Sequence, residues 1–233
     1  MTTAASAALR RDSFYGRRKG HALRAGQADM LTRVLERLRV DTAVPAPGDL
    51  RALFAADVDD VALEIGFGGG EHLIHRAATE PRVGRIGAEP FVNGMAKAAA
   101  AIDADQPGNL RLFDRDAAEL LAWLPPASLS LVDLLYPDPW HKRRHWKRRF
   151  VSAENLARIA RVLRPGGLFR FASDIPSYVD WTLLAVAAAP EFEWTAADAD
   201  DWRLPFPGWP GTRYEEKAIR EGRRGTYLTF RRR

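Results

Sequence analysis

The 233-residue chain contains no cysteine and only three methionines. It also lacks any apolar run as long as the roughly 18 residues that a membrane-spanning helix requires. Without cysteine there is no disulfide framework, no thiolate zinc site and no cysteine nucleophile. The first residues, Met1 to Arg11, have no apolar signal-peptide core, so the expectation is a cytoplasmic protein with no membrane partner. What is present fits one soluble globular domain: 46% apolar and 28% charged residues. A chain of this length can bury roughly 70% of its unfolded surface, so its core needs no covalent or metal staple.

The net charge of +5 conceals a strongly uneven distribution. Residues 1–40 carry +6, 41–140 carry −9, 141–170 carry +9, 171–212 carry −6 and 213–233 carry +5. Basic and acidic stretches in alternation suit a fold in which separate segments converge on one basic surface, the footprint of a polyanion partner. The segment 1–27, with Arg17, Arg18, Lys19 and Arg24 and no clear periodicity, is expected to be a mobile basic arm. Residues 28–233 are expected to form a single domain.

Leu31, Val34, Leu35 and Leu38 mark a short amphipathic helix that stops before Pro45 and Pro47. From Asp60 onward, short apolar runs alternate with helical stretches. Strands are expected at 61–65, 83–88, 109–113, 129–135 and 168–173, with two more at 191–195 and 226–231. Helices are expected at about 70–78, after Val92, at 152–163 and at 176–189, the third ended by Arg164-Pro165-Gly166-Gly167. Strand, crossover and strand in succession imply an α/β fold with a mostly parallel sheet and helices on both faces.

In such sheets ligands bind beyond the carboxyl ends of the strands. After the first strand stands Gly66-Phe67-Gly68-Gly69-Gly70, a turn where the backbone can approach a ligand closely. The residue that would complete a dinucleotide fingerprint is Glu71, whose carboxylate would repel a pyrophosphate, so a nicotinamide dinucleotide is disfavoured. Glu89, at the end of the second strand, stands where nucleotide-binding sheets place an acid for the ribose hydroxyls. S-adenosylmethionine offers a ribose and no phosphate. Asp116, just after the third strand, could accept from an adenine amino group, and Glu64 could face the cofactor's amino group or sulfonium.

The fourth strand runs into Tyr136-Pro137-Asp138-Pro139-Trp140-His141, then a segment in which six of eight residues, Lys142 to Arg149, are basic. Two prolines fix a rigid turn around one carboxylate. The basic run, with His145 and Trp146 inside it, suits phosphate neutralisation and stacking on an unpaired base. The five histidines show no metal-ligand spacing, so no metal site is expected. Thr212-x-x-Glu215 also fits a helix capping box, and Trp202, Trp209 and Pro205-Phe206-Pro207 are expected to form a packed loop beside it.

Leu63 to Gly70, Gly87-Ala88-Glu89-Pro90, Pro137 to Lys142 with Lys147-Arg148-Arg149, Ser173-Asp174 and Thr212-Arg213-Tyr214-Glu215 stand in the same order as the motifs of bacterial tRNA (guanine-N7-)-methyltransferases. The chain resembles that family over about residues 60–233. The resemblance implies a Rossmann-like class I methyltransferase with a seven-stranded sheet, S-adenosylmethionine as donor and a tRNA variable-loop guanine as acceptor. It implies cofactor contacts at Glu64, Gly66, Gly68, Gly70, Glu89, Asp116 and Asp138, with Asp138 also catalytic. It implies substrate contacts at Lys142, Asp174, Thr212, Arg213, Tyr214 and Glu215, and RNA contacts at Arg144, His145, Trp146, Lys147, Arg148 and Arg149. Two positions depart from the usual pattern: Tyr136 replaces a more common phenylalanine, and Ser173 a more common threonine. The alternatives are a methyltransferase acting on an exocyclic base nitrogen, because Pro-Asp-Pro-Trp is similar to the turn of amino-methylating enzymes, and a non-catalytic RNA-binding protein. The order of that turn disfavours the first, and the acids in register disfavour the second.

Overall fold

The computed structural model describes residues 15–105 and 107–233. Its elements run α1 (Ala25–Leu38), β1 (Asp60–Ile65), α2 (Glu71–Thr79), β2 (Val83–Ala88), α3 (Val92–Asp105), β3 (Leu110–Phe113), α4 (Ala117–Trp123) and β4 (Leu129–Leu135). These are followed by α5 (Ala153–Val162), β5 (Leu163–Ser173), α6 (Pro176–Ala187), β6 (Phe192–Trp194), α7 (Asp200–Arg203), α8 (Arg213–Arg220) and β7 (Thr226–Arg232). The strands form one sheet in the order β3-β2-β1-β4-β5-β7-β6. β1 to β5 are mutually parallel, and β7 lies antiparallel to both β5 and β6. The expected mostly parallel α/β architecture is therefore what the chain adopts.

Local chemistry sets the element ends. Ser152 caps α5 by accepting a hydrogen bond from Asn155 N at 3.2 Å. Leu156, Ile159 and Ala160 then recur on its buried side. Pro176 opens α6 in its first turn, where the N–H groups have no partner within the helix and a missing one costs nothing. At β5 the strand begins at Leu163, earlier than the expected Leu168, because Gly166 at φ +78° lets Pro165–Gly167 loop out between two paired segments. The pairing steps from Leu129 with Leu163 to Leu131 with Leu168. The short helices α4 and α8 are additions that periodicity did not announce.

The two sheet faces differ. One carries Leu63, Ile65, Ile86, Val132, Leu134, Phe169, Phe171, Leu228 and Phe230, packed under Leu120 and Leu121 of α4, Leu156 and Ile159 of α5 and Tyr178 of α6. On the other, Leu110 and Leu112 meet Val34 and Leu35 of α1, Leu73 of α2 and Met95 and Ile102 of α3. That second face also buries Glu64, Arg85, Asp133 and Arg170. Residues 1–14 of the expected arm lie outside the described residues. Beyond them, Arg18 O accepts from Val92 N at 3.0 Å, Gly20 N donates to Asn93 Oδ1 at 2.7 Å, and α1 begins at Ala25, ahead of its first expected apolar residue.

Candidate active site

The strand order reverses between β1 and β4, each side winding outward from that seam. Such a switch point opens a crevice at the carboxyl ends of the strands. Register completes it: Ile65 pairs with both Ala88 and Leu134, and Ala88 with Phe113, so Gly66, Glu89 and the turn beginning at Tyr136 emerge side by side. Here lies a cavity of about 610 Å³, lined by Gly66, Glu89, Asp116, Tyr136, Asp138, Trp140, Arg148 and Tyr214 among others. That volume lies within the usual range for small-molecule sites.

Each carboxylate is held differently. Glu89 is 8% exposed, and its two oxygens accept from Gly68 N at 2.7 Å and Phe91 N at 2.8 Å. Burial pushes its pKa up, with those backbone donors pulling the other way. A carboxylate has about four acceptor sites, so two remain for ligand hydroxyls. Asp116 caps α4, accepting from Ala118 N at 3.0 Å, and also lines the cavity. Asp138 opens onto the cavity, where the surrounding walls displace enough water to raise its pKa, burial being the cause.

The glycine turn needs its glycines. Gly66, Gly68 and Gly70 all take positive φ, and Gly70 is the first cap of α2. Gly94, on α3, packs so near that a Cβ would lie 2.6 Å from Gly68 O.

The Pro-Asp-Pro turn is bounded by two strained residues, Tyr136 at φ +48° and Trp140 at φ +47°. A non-glycine residue in that region costs about 1 to 2 kcal/mol. Arg149 secures the turn from beneath, donating to Pro139 O at 3.0 Å and to Ser177 O at 2.7 Å. Its guanidinium lies 4.4 Å from the Trp146 ring centre and 4.7 Å from that of Tyr178. Arg143–Arg148 form a 3₁₀ turn at the cavity rim, where Lys142, Arg143, Arg144 and Lys147 are exposed. Arg148 stacks over Trp140 at 5.0 Å and Tyr15 at 5.4 Å. Burial, then Arg148, Arg144 and the neighbouring lysines, lower the pKa of His145.

A family model described as "Putative methyltransferase" matches residues 59–228. A tRNA (guanine-N(7)-)-methyltransferase of Brucella anthropi is 60% identical over 221 residues, covering 95% of each chain. One from Mesorhizobium japonicum is 61% identical over 219 residues, covering 94% of each. The chain belongs to the tRNA (guanine-N(7)-)-methyltransferase family. Among solved structures, the fold is similar to the 16S rRNA methyltransferase KamB, with a TM-score of 0.56 at 22% identity over 81% of this chain and 95% of that one. It is also similar to TrmN from Thermus thermophilus, with a TM-score of 0.52 at 15% identity over 78% and 47%. These are class I methyltransferase folds.

Within this family frame, the cavity gathers Gly66, Glu89, Asp116, Asp138, Tyr214, Lys147, Arg148 and Arg149 from the expected residues. Glu64 is not at its wall: the side chain points to the opposite sheet face, 5% exposed, with its Oε2 2.7 Å from His72 Nδ1. Gly68 and Gly70 shape the turn behind Gly66. Arg213 reaches over Gly68, its NH2 3.3 Å from where a Cβ would be. Thr212 is the cap of α8, accepting from Glu215 N at 3.1 Å. The Glu215 side chain turns inward, 7% exposed, to Trp209 Nε1 at 2.6 Å and to the Tyr227 hydroxyl. Of the expected packed loop, Phe206 and Trp209 meet edge to face with Tyr227, whereas Trp202 packs against the main core instead.

Asp174 is engaged by Arg223 Nε at 2.6 Å and stands apart from the cavity wall, as does exposed Lys142. Two members of the expected RNA-contact run also make contacts within the protein. Arg149 is 3% exposed and all its bonds go to the protein, so it ties the turn together. Trp146, partly exposed, packs edge to face against Trp181 and under Arg149. Tyr15 and Gly16 line the cavity from the N-terminal segment, which the sequence marks only as a basic arm. Sequence reasoning missed Trp140 as a wall residue, although its place in the Pro-Asp-Pro-Trp turn was the available sign.

Proposed function

We propose that this chain transfers a methyl group from S-adenosylmethionine to N7 of a guanine in tRNA, at the variable loop, as a cytoplasmic enzyme. What carries this reading is the placement of Asp138, on its doubly proline-locked turn, in one cavity with Glu89 and Asp116 and beneath a basic rim. No helix among the described residues is long and apolar enough to cross a membrane, and no cluster there could hold a metal ion.

The cavity fits the cofactor by its donor set. Glu89 keeps acceptor sites free for two ribose hydroxyls, Asp116 offers an acceptor for the adenine amino group, and the Gly66–Gly70 turn lets backbone approach. When bound, S-adenosylmethionine supplies an electrophilic methyl group. Guanine N7 already carries an in-plane lone pair and no proton, so no residue has to act as a general base. The protein's task is orientation, which can supply several kcal/mol of the barrier. Asp138 cannot accept from N7 or O6, since all are acceptors. It takes hydrogen bonds from the N1–H and N2–H₂ edge, or offsets the positive charge the imidazole ring gains on methylation. Exposed Lys142 and Arg144 at the rim neutralise backbone phosphates, a sequence-independent grip that weakens with salt.

Tritiated methyl transfer to unmodified tRNA, followed by borohydride and aniline cleavage, tests this. Strand scission at a variable-loop guanine is expected. A labelled product that resists cleavage would overturn the N7 assignment in favour of an exocyclic nitrogen. Asp138→Ala should lose at least about a hundredfold in turnover while keeping most of its tRNA affinity.

A further inference from the structure

Tyr136 opens the turn that carries Asp138. Its hydroxyl lies 3.4 Å from the Tyr227 hydroxyl. Tyr227 donates to Glu215 Oε1, and Glu215 Oε2 accepts from Trp209 Nε1 at 2.6 Å. Glu215 sits in the first turn of α8, whose cap is Thr212. A polar chain thus runs from Glu215 at the start of α8, through two hydroxyls, to the turn that carries Asp138.

A second observation shows that the fold makes room for this chain. A Cβ on Gly225 would lie 2.6 Å from both tyrosine hydroxyls, so any larger residue there would push them from their present places. Burial raises the pKa of both tyrosines, so each stays a donor at neutral pH. Phenylalanine at 136 would fill the same space and contribute nothing to the chain. Tyr136 holds φ +48° directly before Pro137 and Asp138, and the contact of its hydroxyl with Tyr227 is one of the interactions that keep that strained backbone in place.

We infer that Tyr136 and Tyr227 are positioning residues: through Glu215 they couple the seating of α8 to the placement of Asp138 over the cleft. This rests on the methyl-transfer reading above for what Asp138 does, but the coupling is a property of the fold. It assigns Glu215 a role inside the protein, since both its oxygens are occupied there.

The test uses the full chain with Tyr136→Phe, Tyr227→Phe and the double variant. Two measurements are made: steady-state methyl transfer to unmodified tRNA, and hydrogen exchange at the amide of residue 136, which donates to Ala172 O at 2.8 Å. Each single variant should lower kcat about tenfold, with KM for tRNA and cofactor affinity within about twofold of wild type. The double variant should lose no more than the worse single one, as expected for members of one chain. Exchange at residue 136 should quicken about fivefold in all three, without tRNA present. Wild-type kcat in Tyr136→Phe, or single losses that multiply in the double variant, would overturn the coupling. So would unchanged exchange at residue 136, even if the acceptor proved to be something other than guanine N7. A rise in KM alone would show Glu215 and its neighbours to be binding groups and would also overturn it.

Discussion

The two faces of the central sheet solve burial in opposite ways. Beneath α4, α5 and α6 the face is hydrocarbon: Phe169 stacks on Phe230 with centroids 5.8 Å apart, and Phe171 meets Tyr178 edge to face at 5.2 Å. Beneath α2 and the loop before α8, neighbouring strands present Glu64, Asp133 and Arg170 at successive register positions. Asp133, fully buried, receives Arg170 in a two-pronged grip, Nε at 2.6 Å and NH2 at 2.7 Å. Burial by itself would raise the Asp133 pKa; the guanidinium outweighs it and holds the carboxyl below its usual value. Arg170 in turn lies 4.7 Å from the Phe206 ring centre. The apolar face supplies general cohesion. The charged face supplies orientation, because each ion accepts only one arrangement of partners.

The sharpest way to break that contrast is Asp133→Ala, which strands the Arg170 guanidinium in the interior. A loss of about 4 kcal/mol in denaturant unfolding is expected. Replacing both partners by Leu and Met should recover most of it, and failure to recover would show that the face is not a paired system. Phe169→Ala on the other face should cost about 3 kcal/mol, with no second-site replacement equivalent to that rescue. A smaller effect belongs to Gly94→Ala, whose methyl group meets the Gly68 carbonyl. Cofactor binding measured by calorimetry should weaken by about 2 kcal/mol, while unfolding changes less.

The smallest predicted effect separates two aspartates five positions apart. A carboxyl whose folded pKa is depressed, such as Asp133, stabilises the fold above its unfolded value and loses that contribution as pH falls through the folded one. Asp138 has the opposite sign: its folded pKa is raised, so it is neutral without penalty at low pH and weighs against folding as pH climbs past about 3.9 and through the raised value. Asp138→Asn should therefore melt slightly higher at pH 7, by no more than about 1 °C because solvent screens this exposed side chain, and no differently near pH 3, despite losing activity. A lower melting point at pH 7 would mean that Asp138 helps hold its own turn.

Much of this was legible along the chain because strand ends are marked locally. Glycine after Ile65, the acid after Ala88 and two prolines around Asp138 all announce a backbone that must turn at one edge of a sheet. What escaped was orientation. Glu64 stands beside the glycine turn in sequence, yet strand alternation sends its side chain to the face of His72 and away from the cavity. Arg149 counts as one more charge in a basic run, and only the packing of Trp146, Tyr178 and Ser177 around it shows that it is interior. The Asp133–Arg170 pair spans 37 positions and depends on β4 and β5 meeting in one register. No local pattern encodes such a meeting. α4 escaped for a different reason: with seven residues, it is too short to show a period.

The reversed strand β7 gives the fold a dependence on order of synthesis. β6 is made before β7 but pairs with the sheet only through it, since β7 lies between β5 and β6. Until Thr226–Arg232 have left the ribosome, Phe192–Trp194 have no strand to pair with and β5 keeps an open edge. A nascent chain halted anywhere upstream of Thr226 is therefore short of two strands, not one.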